Sequence, residues 1–109
     1  MIPVDTIGVL GEIVRPWMGF VVTEIQATPN PNAMKFVLDA IVSEEPASFY
    51  SREQAGANPD VISRLAEKLL AIQGVSNVML LKDFVTVGKL PQARWSDING
   101  RVKQILAQA

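Results

Sequence analysis

Apolar and polar positions change period several times along the chain, and each change predicts an element. Residues 20–27 alternate, with Val21, Thr23 and Ile25 on one side and Val22, Glu24 and Gln26 on the other, as in a strand. Residues 33–42 alternate again. Met34, Phe36, Leu38 and Ala40 stand against Lys35, Val37 and Asp39, a second strand with Phe36 on its core side. Between the two lies Thr28-Pro29-Asn30-Pro31-Asn32. Its prolines remove two backbone donors and hold their predecessors extended, and its asparagines suit turns, so it predicts a rigid reversal.

Residues 43–57 are mostly polar. Ser48 to Tyr50 suggest a short edge strand, and Ser51 with Gln54 has the spacing of a capping box on one helical turn. A helical period follows. Val61, Leu65, Leu69 and Ile72 make one stripe, widened by Ile62, Ala66 and Leu70. Asn58 reads as the N-cap, Pro59 as the first helical residue, and Asp60 as an acid suited to the positive helix start. Gly74 predicts a left-handed stop. Val75–Leu81 and Phe84–Val87 then form a hairpin around Lys82-Asp83. That register places Val78, Leu80, Val85 and Val87 on one face and Met79, Leu81, Phe84 and Thr86 on the other. The second set is apolar for a face meant for water. Trp95, Ile98, Val102 and Ile105 mark a last helix starting near Ser96, which Gly100 weakens by about 1 kcal/mol relative to Ala.

This order predicts an α+β fold: a four-stranded, largely antiparallel sheet in ββαββα order with two helices on one face. Residues 19–109 form the domain. Residues 1–18, punctuated by Pro3, Gly8, Gly11 and Pro16, read as an extension able to lay Leu10, Ile13, Val14 and Trp17 over the sheet's open face.

Composition sharpens this picture chiefly by exclusion. With 109 residues, 49% hydrophobic and 19% charged, the chain suffices for one core and is neither disordered nor fibrous. No apolar run approaches membrane-helix length and no signal peptide opens the chain, so a soluble, cytoplasmic protein is expected. There is no cysteine and no histidine. Disulfides, thiol nucleophiles, thiolate-held clusters, imidazole ligands and the commonest general base are therefore all missing. That argues against an enzyme and against a bound cofactor.

Charge is uneven. Residues 1–60 carry three basic and eight acidic residues, while residues 61–109 carry seven basic and three acidic. The plain reading is two solvated faces. Lys82, Lys89, Arg94, Arg101 and Lys103 suggest a basic patch beside Trp95, but a net charge of −1 speaks against nucleic acid. Trp95 itself lies on an apolar stripe and reads as core. Asp39, Glu44 and Glu45 offer oxygen ligands for a hard cation, although nothing has the spacing of a calcium loop. The glycines form no phosphate-cradling motif.

The run from Thr28 to Phe36, T-P-N-P-N-A-M-K-F, resembles the opening signature of the Nfu/NifU N-terminal domain family. Leu65 to Val75 resembles that family's helix ending in G-V, Asp83 to Val87 its D-F-I-T-V strand, and Trp95 the tryptophan opening its final helix. The resemblance spans residues 22–108, and since family members begin shortly before the first strand, Met18 is a candidate native start. Full-length Nfu proteins carry iron–sulfur clusters on a C-x-x-C pair in a separate C-terminal domain. With no cysteine, this sequence resembles the accessory half of such a carrier without its cargo site. The resemblance implies a non-catalytic domain that recognises a protein of the iron–sulfur assembly machinery or an apo-client. Thr28, Pro29, Asn30, Pro31, Asn32, Lys35, Met79, Leu81 and Phe84 are the candidate partner-binding residues. A carboxylate-based iron-binding or small-molecule-binding protein is the alternative, and the oligomeric state stays open.

Overall fold

The computed structural model describes residues 19–57 and 60–108. The expected packing of residues 1–18 on the sheet lies outside the described residues, as do Asn58 and Pro59 themselves. Five strands form one sheet: β1 (Val22–Ala27), β2 (Ala33–Leu38), β3 (Ser43–Phe49), β4 (Val75–Lys82) and β5 (Phe84–Lys89). Three helices accompany them: α1 (Arg52–Gly56), α2 (Val61–Leu70) and α3 (Trp95–Ala107). The sheet order is β1-β2-β5-β4-β3, with every neighbouring pair antiparallel.

The sheet thus has five strands where the four-stranded expectation fell short, and the fifth is β3, of which only the end at Ser48 and Phe49 was foreseen as a short edge strand. Its polar run Ser43-Glu44-Glu45-Pro46 hides the rest. A bulge between Ser43 and Ala47 accommodates Pro46, and the strand lies at an edge, where an unpaired proline nitrogen costs nothing. Only Ser43 and Phe49 along β3 are buried. The single turn expected after Ser51 is α1: Gln54 N–H donates to Ser51 Oγ at 3.0 Å, and Gln54 Oε1 accepts from Tyr50 N–H at 2.8 Å.

One core layer fills the space between the sheet and the two longer helices. Phe36, Val78, Leu80, Val85 and Val87 meet Leu69 of α2 and Ile98, Val102 and Leu106 of α3, each essentially sealed from solvent. The hairpin register is as expected, with Leu80 opposite Val85 and Leu81 opposite Phe84. The simple alternation expected in β1 is not observed. A bulge between Val22 and Glu24 sets Val22 opposite Leu38 and Ile25 opposite Phe36, so both of these apolar residues reach the core side.

The α2 cap is not the expected Asn58, and the helix starts at Val61, not at Pro59. Asp60, in extended backbone, is the N-cap, and its carboxylate accepts from Ser63 N–H at 2.8 Å and from Ser63 Oγ–H at 3.1 Å. The Ser63 backbone N–H holds the Asp60 carboxyl below its ordinary value, against an opposing desolvation penalty. With the helix starting there, Val61 is 78% exposed and the buried stripe runs through Leu65, Ala66, Leu69 and Leu70. Gly74 then reverses the chain at φ +98°, and a Cβ on it would stand 2.8 Å from that of Ala93. At the far end of the sheet, Leu38 and Val42 N–H groups donate to the carbonyls of Asp83 and Lys82 at 2.7 Å, fastening the β2–β3 connection to the β4–β5 turn.

Candidate interaction site

The loop between β1 and β2 is built from its own side chains. The Thr28 hydroxyl lies 2.8 Å from the Asn30 carbonyl and 3.0 Å from that of Ala33, and it accepts from Asn30 N–H at 3.1 Å. Asn30 Oδ1 accepts from Asn32 N–H at 2.9 Å, an Asx turn that leaves Pro29, Asn30 and Pro31 exposed at the tip. Asn32 faces outward from this knot. Its Oδ1 accepts from Lys89 Nζ at 2.9 Å and its carbonyl from Lys89 N–H at 2.8 Å. Lys89 Nζ in turn stands 5.9 Å from the centre of the Trp95 ring, and the Trp95 indole N–H donates to the Pro31 carbonyl at 3.1 Å. The loop is thereby joined to the end of β5 and the start of α3.

Sequence reasoning set Lys89 beside Trp95 but missed its bond to Asn32. Asn32 and Lys89 are brought together by β2–β5 pairing, which sets Ala33 opposite Gly88. Only a correct sheet order would have exposed that contact. Trp95, read as core, is half-buried against the core edge and also serves the loop with its polar end.

The sheet surface opposite the helices is ordered in rows. Glu24, Val37, Phe84 and Leu81 form one row across β1, β2, β5 and β4. Gln26, Lys35, Thr86, Met79 and Ser48 form the next, spanning all five strands. Lys35 Nζ lies 4.2 Å from the centre of the Phe84 ring, a diagonal contact between these rows. A third row holds Ala33, Gly88 and Asn77, where Asn77 lies so close that a Cβ on Gly88 would fall 2.5 Å from its Nδ2. Lys35, Met79, Leu81 and Phe84 therefore share one surface, each half-buried. The five loop residues sit at the sheet's opposite end from Phe84 and Leu81, with most of their polar groups spent on internal bonds.

The other candidate chemistry is dispersed. Asp39 Oδ1 accepts from Val21 N–H at 3.0 Å, and Glu44 stands 3.9 Å from Lys82 Nζ. Among the described residues no three acidic side chains gather in a way that could hold a metal ion. The expected basic patch is divided, since Lys82 faces Glu44 and Lys89 faces Asn32. Among the described residues no helix is long and apolar enough to cross a membrane.

These features define an antiparallel α+β domain shared with solved proteins. The crystal structure of protein SAV1430 from Staphylococcus aureus superposes with a TM-score of 0.63 at 22% identity, covering 78% of this chain and 96% of that one. Residues 22–109 match the family described as "Scaffold protein Nfu/NifU N terminal", and the chain belongs to that family. It is 33% identical over 85 residues to a NifU-like protein of Schizosaccharomyces pombe, covering 76% of this chain and 31% of that protein. It is 32% identical over 105 residues to the mitochondrial NFU1 iron-sulfur cluster scaffold homolog of Drosophila virilis, covering 94% of this chain and 33% of that protein. The chain spans a third or less of the length of the curated relatives it matches.

Proposed function

We propose that this protein is a non-catalytic interaction domain of iron–sulfur cluster assembly or delivery, recognising a protein partner through the open face of its sheet. The observation that carries this reading is the apolar surface of Val37, Met79, Leu81 and Phe84 opposite the helices, with Lys35 set over the Phe84 ring. An apolar surface of this kind on a domain with its own complete core serves association. Family membership supplies the link to iron–sulfur scaffolds, and these 109 residues offer no cysteine or histidine to hold a cluster themselves. The cytoplasm is the compartment this reading assigns, and cell fractionation tests it.

The direct test is affinity capture from cell extract under anaerobic conditions, using the wild-type chain and a Phe84→Ser variant. The expected result is capture of iron–sulfur assembly or client proteins by the wild type and their loss from the variant, at unchanged fold by circular dichroism. Identical capture by both proteins, or a captured set without any iron–sulfur protein, rejects the reading.

A further inference from the structure

Two open clefts on the helical side of the molecule meet at Ala71, the residue that caps α2. The larger, of about 730 Å³, lies between the α2–β4 turn and the start of α3, and Arg94 and Arg101 line it together with Gln73 and Gln92. The smaller, of about 470 Å³, lies along α1 and α2 and is lined by Arg52, Arg64 and Lys68. Five cations at three helices thus line two adjoining clefts, one depression divided at Ala71, in a chain whose net charge is −1.

Two acids share this region, and neither neutralises it. Asp97 pairs with Arg94 at 3.3 Å, leaving the other four cations. Glu67 extends towards the end of α1, where its Oε2 lies 3.0 Å from the place a Cβ on Gly56 would take. Among the described residues Arg52, Arg64, Lys68 and Arg101 have no ion-pair partner. Placing like charges around one depression raises the energy of the free protein, and a bound anion relieves it.

We propose that this depression docks an acidic segment of a partner protein, with glutamate or aspartate carboxylates taken up by Arg64, Lys68 and Arg101. Guanidinium groups hold carboxylates through paired hydrogen bonds, which favours a peptide carrying several spaced acids. A nucleic acid fits less well. Among the described residues, the linings contain no aromatic side chain on which a base could stack, and the acidic residues elsewhere on the chain repel a long polyanion. This surface lies on the opposite side of the molecule from the open sheet face, so it stands independently of the function proposed above.

The test titrates a fluorescein-labelled oligo-glutamate peptide into the full chain and follows anisotropy at low and physiological salt. The expected result is saturable binding that weakens as salt rises and falls roughly tenfold in an Arg64→Glu, Arg101→Glu double variant. A Lys103→Glu control, exposed on α3 but lining neither cleft, should bind like the wild type. Both substituted arginines are exposed, and circular dichroism checks that the variant folds; Arg101→Gln alone, with a smaller loss, serves if it does not. Equal weakening by the Lys103→Glu control overturns the proposal, as does tighter binding of a single-stranded oligonucleotide of equal charge.

Discussion

The indole N–H of Trp95 donates to the carbonyl of Pro31 at 3.1 Å, tying the first residue of α3 to a loop 64 positions earlier. Pro31 lies at the exposed tip between two strands, so the bond fixes where that tip sits relative to the helices. Replacing Trp95 by Phe keeps an aromatic ring at the core edge and removes only the donor. Stability should fall by about 1 kcal/mol, the ordinary worth of one such bond. Trp95→Ala also removes the packing and should cost clearly more. Chemical denaturation of the three proteins measures both differences, and equal losses in the two variants would refute a separate role for the hydrogen bond.

Asn30 gives a second prediction. Its side chain closes the turn onto Asn32 N–H, so Asn30→Ala should lower stability by about 1 kcal/mol. Capture of partners should change no more than that loss of stability explains. An Asn30→Ala protein as stable as wild type but unable to capture its partner would transfer the recognition role from the sheet face to the loop.

The parts of the fold legible in the sequence are those fixed by local rules. A two-residue turn at Lys82-Asp83 sets the register of Val78, Leu80, Val85 and Val87 without knowledge of anything else, and all four are buried. The same rule separates Met79, Leu81 and Phe84 from the core. Where a bulge intervenes, alternation misleads: it brings Val22 and Ile25 to one side, and it lets Pro46 stand within β3. The loop's attachment to Lys89 and Trp95 is a product of sheet order and helix placement. No spacing between neighbouring residues encodes it. The basic depression around Ala71 is hidden for the same reason, because its cations come from three helices whose mutual position is tertiary.

Two glycines should respond in opposite directions to the same change. Gly74 sits at φ +98° with Ala93 close by, so Gly74→Ala should destabilise by more than about 1 kcal/mol. Gly100 lies inside α3, is exposed, and a Cβ there meets nothing within 4 Å. Gly100→Ala should therefore raise stability by about 0.5–1 kcal/mol through helix propensity alone. Thermal melts of the pair provide the check, and a loss of stability at Gly100 would mean that α3 is held in this position by something other than its visible contacts.

Cluster chemistry provides a test of a different kind. With neither thiolate nor imidazole anywhere in the chain, anaerobic incubation with iron and sulfide followed by desalting should leave a colourless protein. A stoichiometric absorption band between the visible and near ultraviolet would require oxygen ligands from this chain, within one copy or shared between two. Either result would move the protein from the recognition side of assembly to the carrying side.

Acid should loosen α2 first at its N-terminus. Asp60 accepts from the Ser63 backbone N–H and hydroxyl only as a strong acceptor when ionised, and this holds its folded-state pKa below the ordinary 3.8. The sign follows from that direction. A carboxyl whose folded pKa is depressed contributes stability that is fully present above the unfolded value and is lost as pH falls through the folded one. The contribution should thus be constant from neutral pH down to roughly pH 5 and decline below that. Asp60→Asn retains an oxygen able to cap the helix but does not titrate, so its melting temperature should fall less steeply over the acid range than that of wild type. Melting curves collected at stepped pH decide the matter. Parallel declines for the two proteins would assign the acid sensitivity to other carboxylates, and a lower neutral-pH stability of Asp60→Asn would measure what the charge adds at the positive end of the helix.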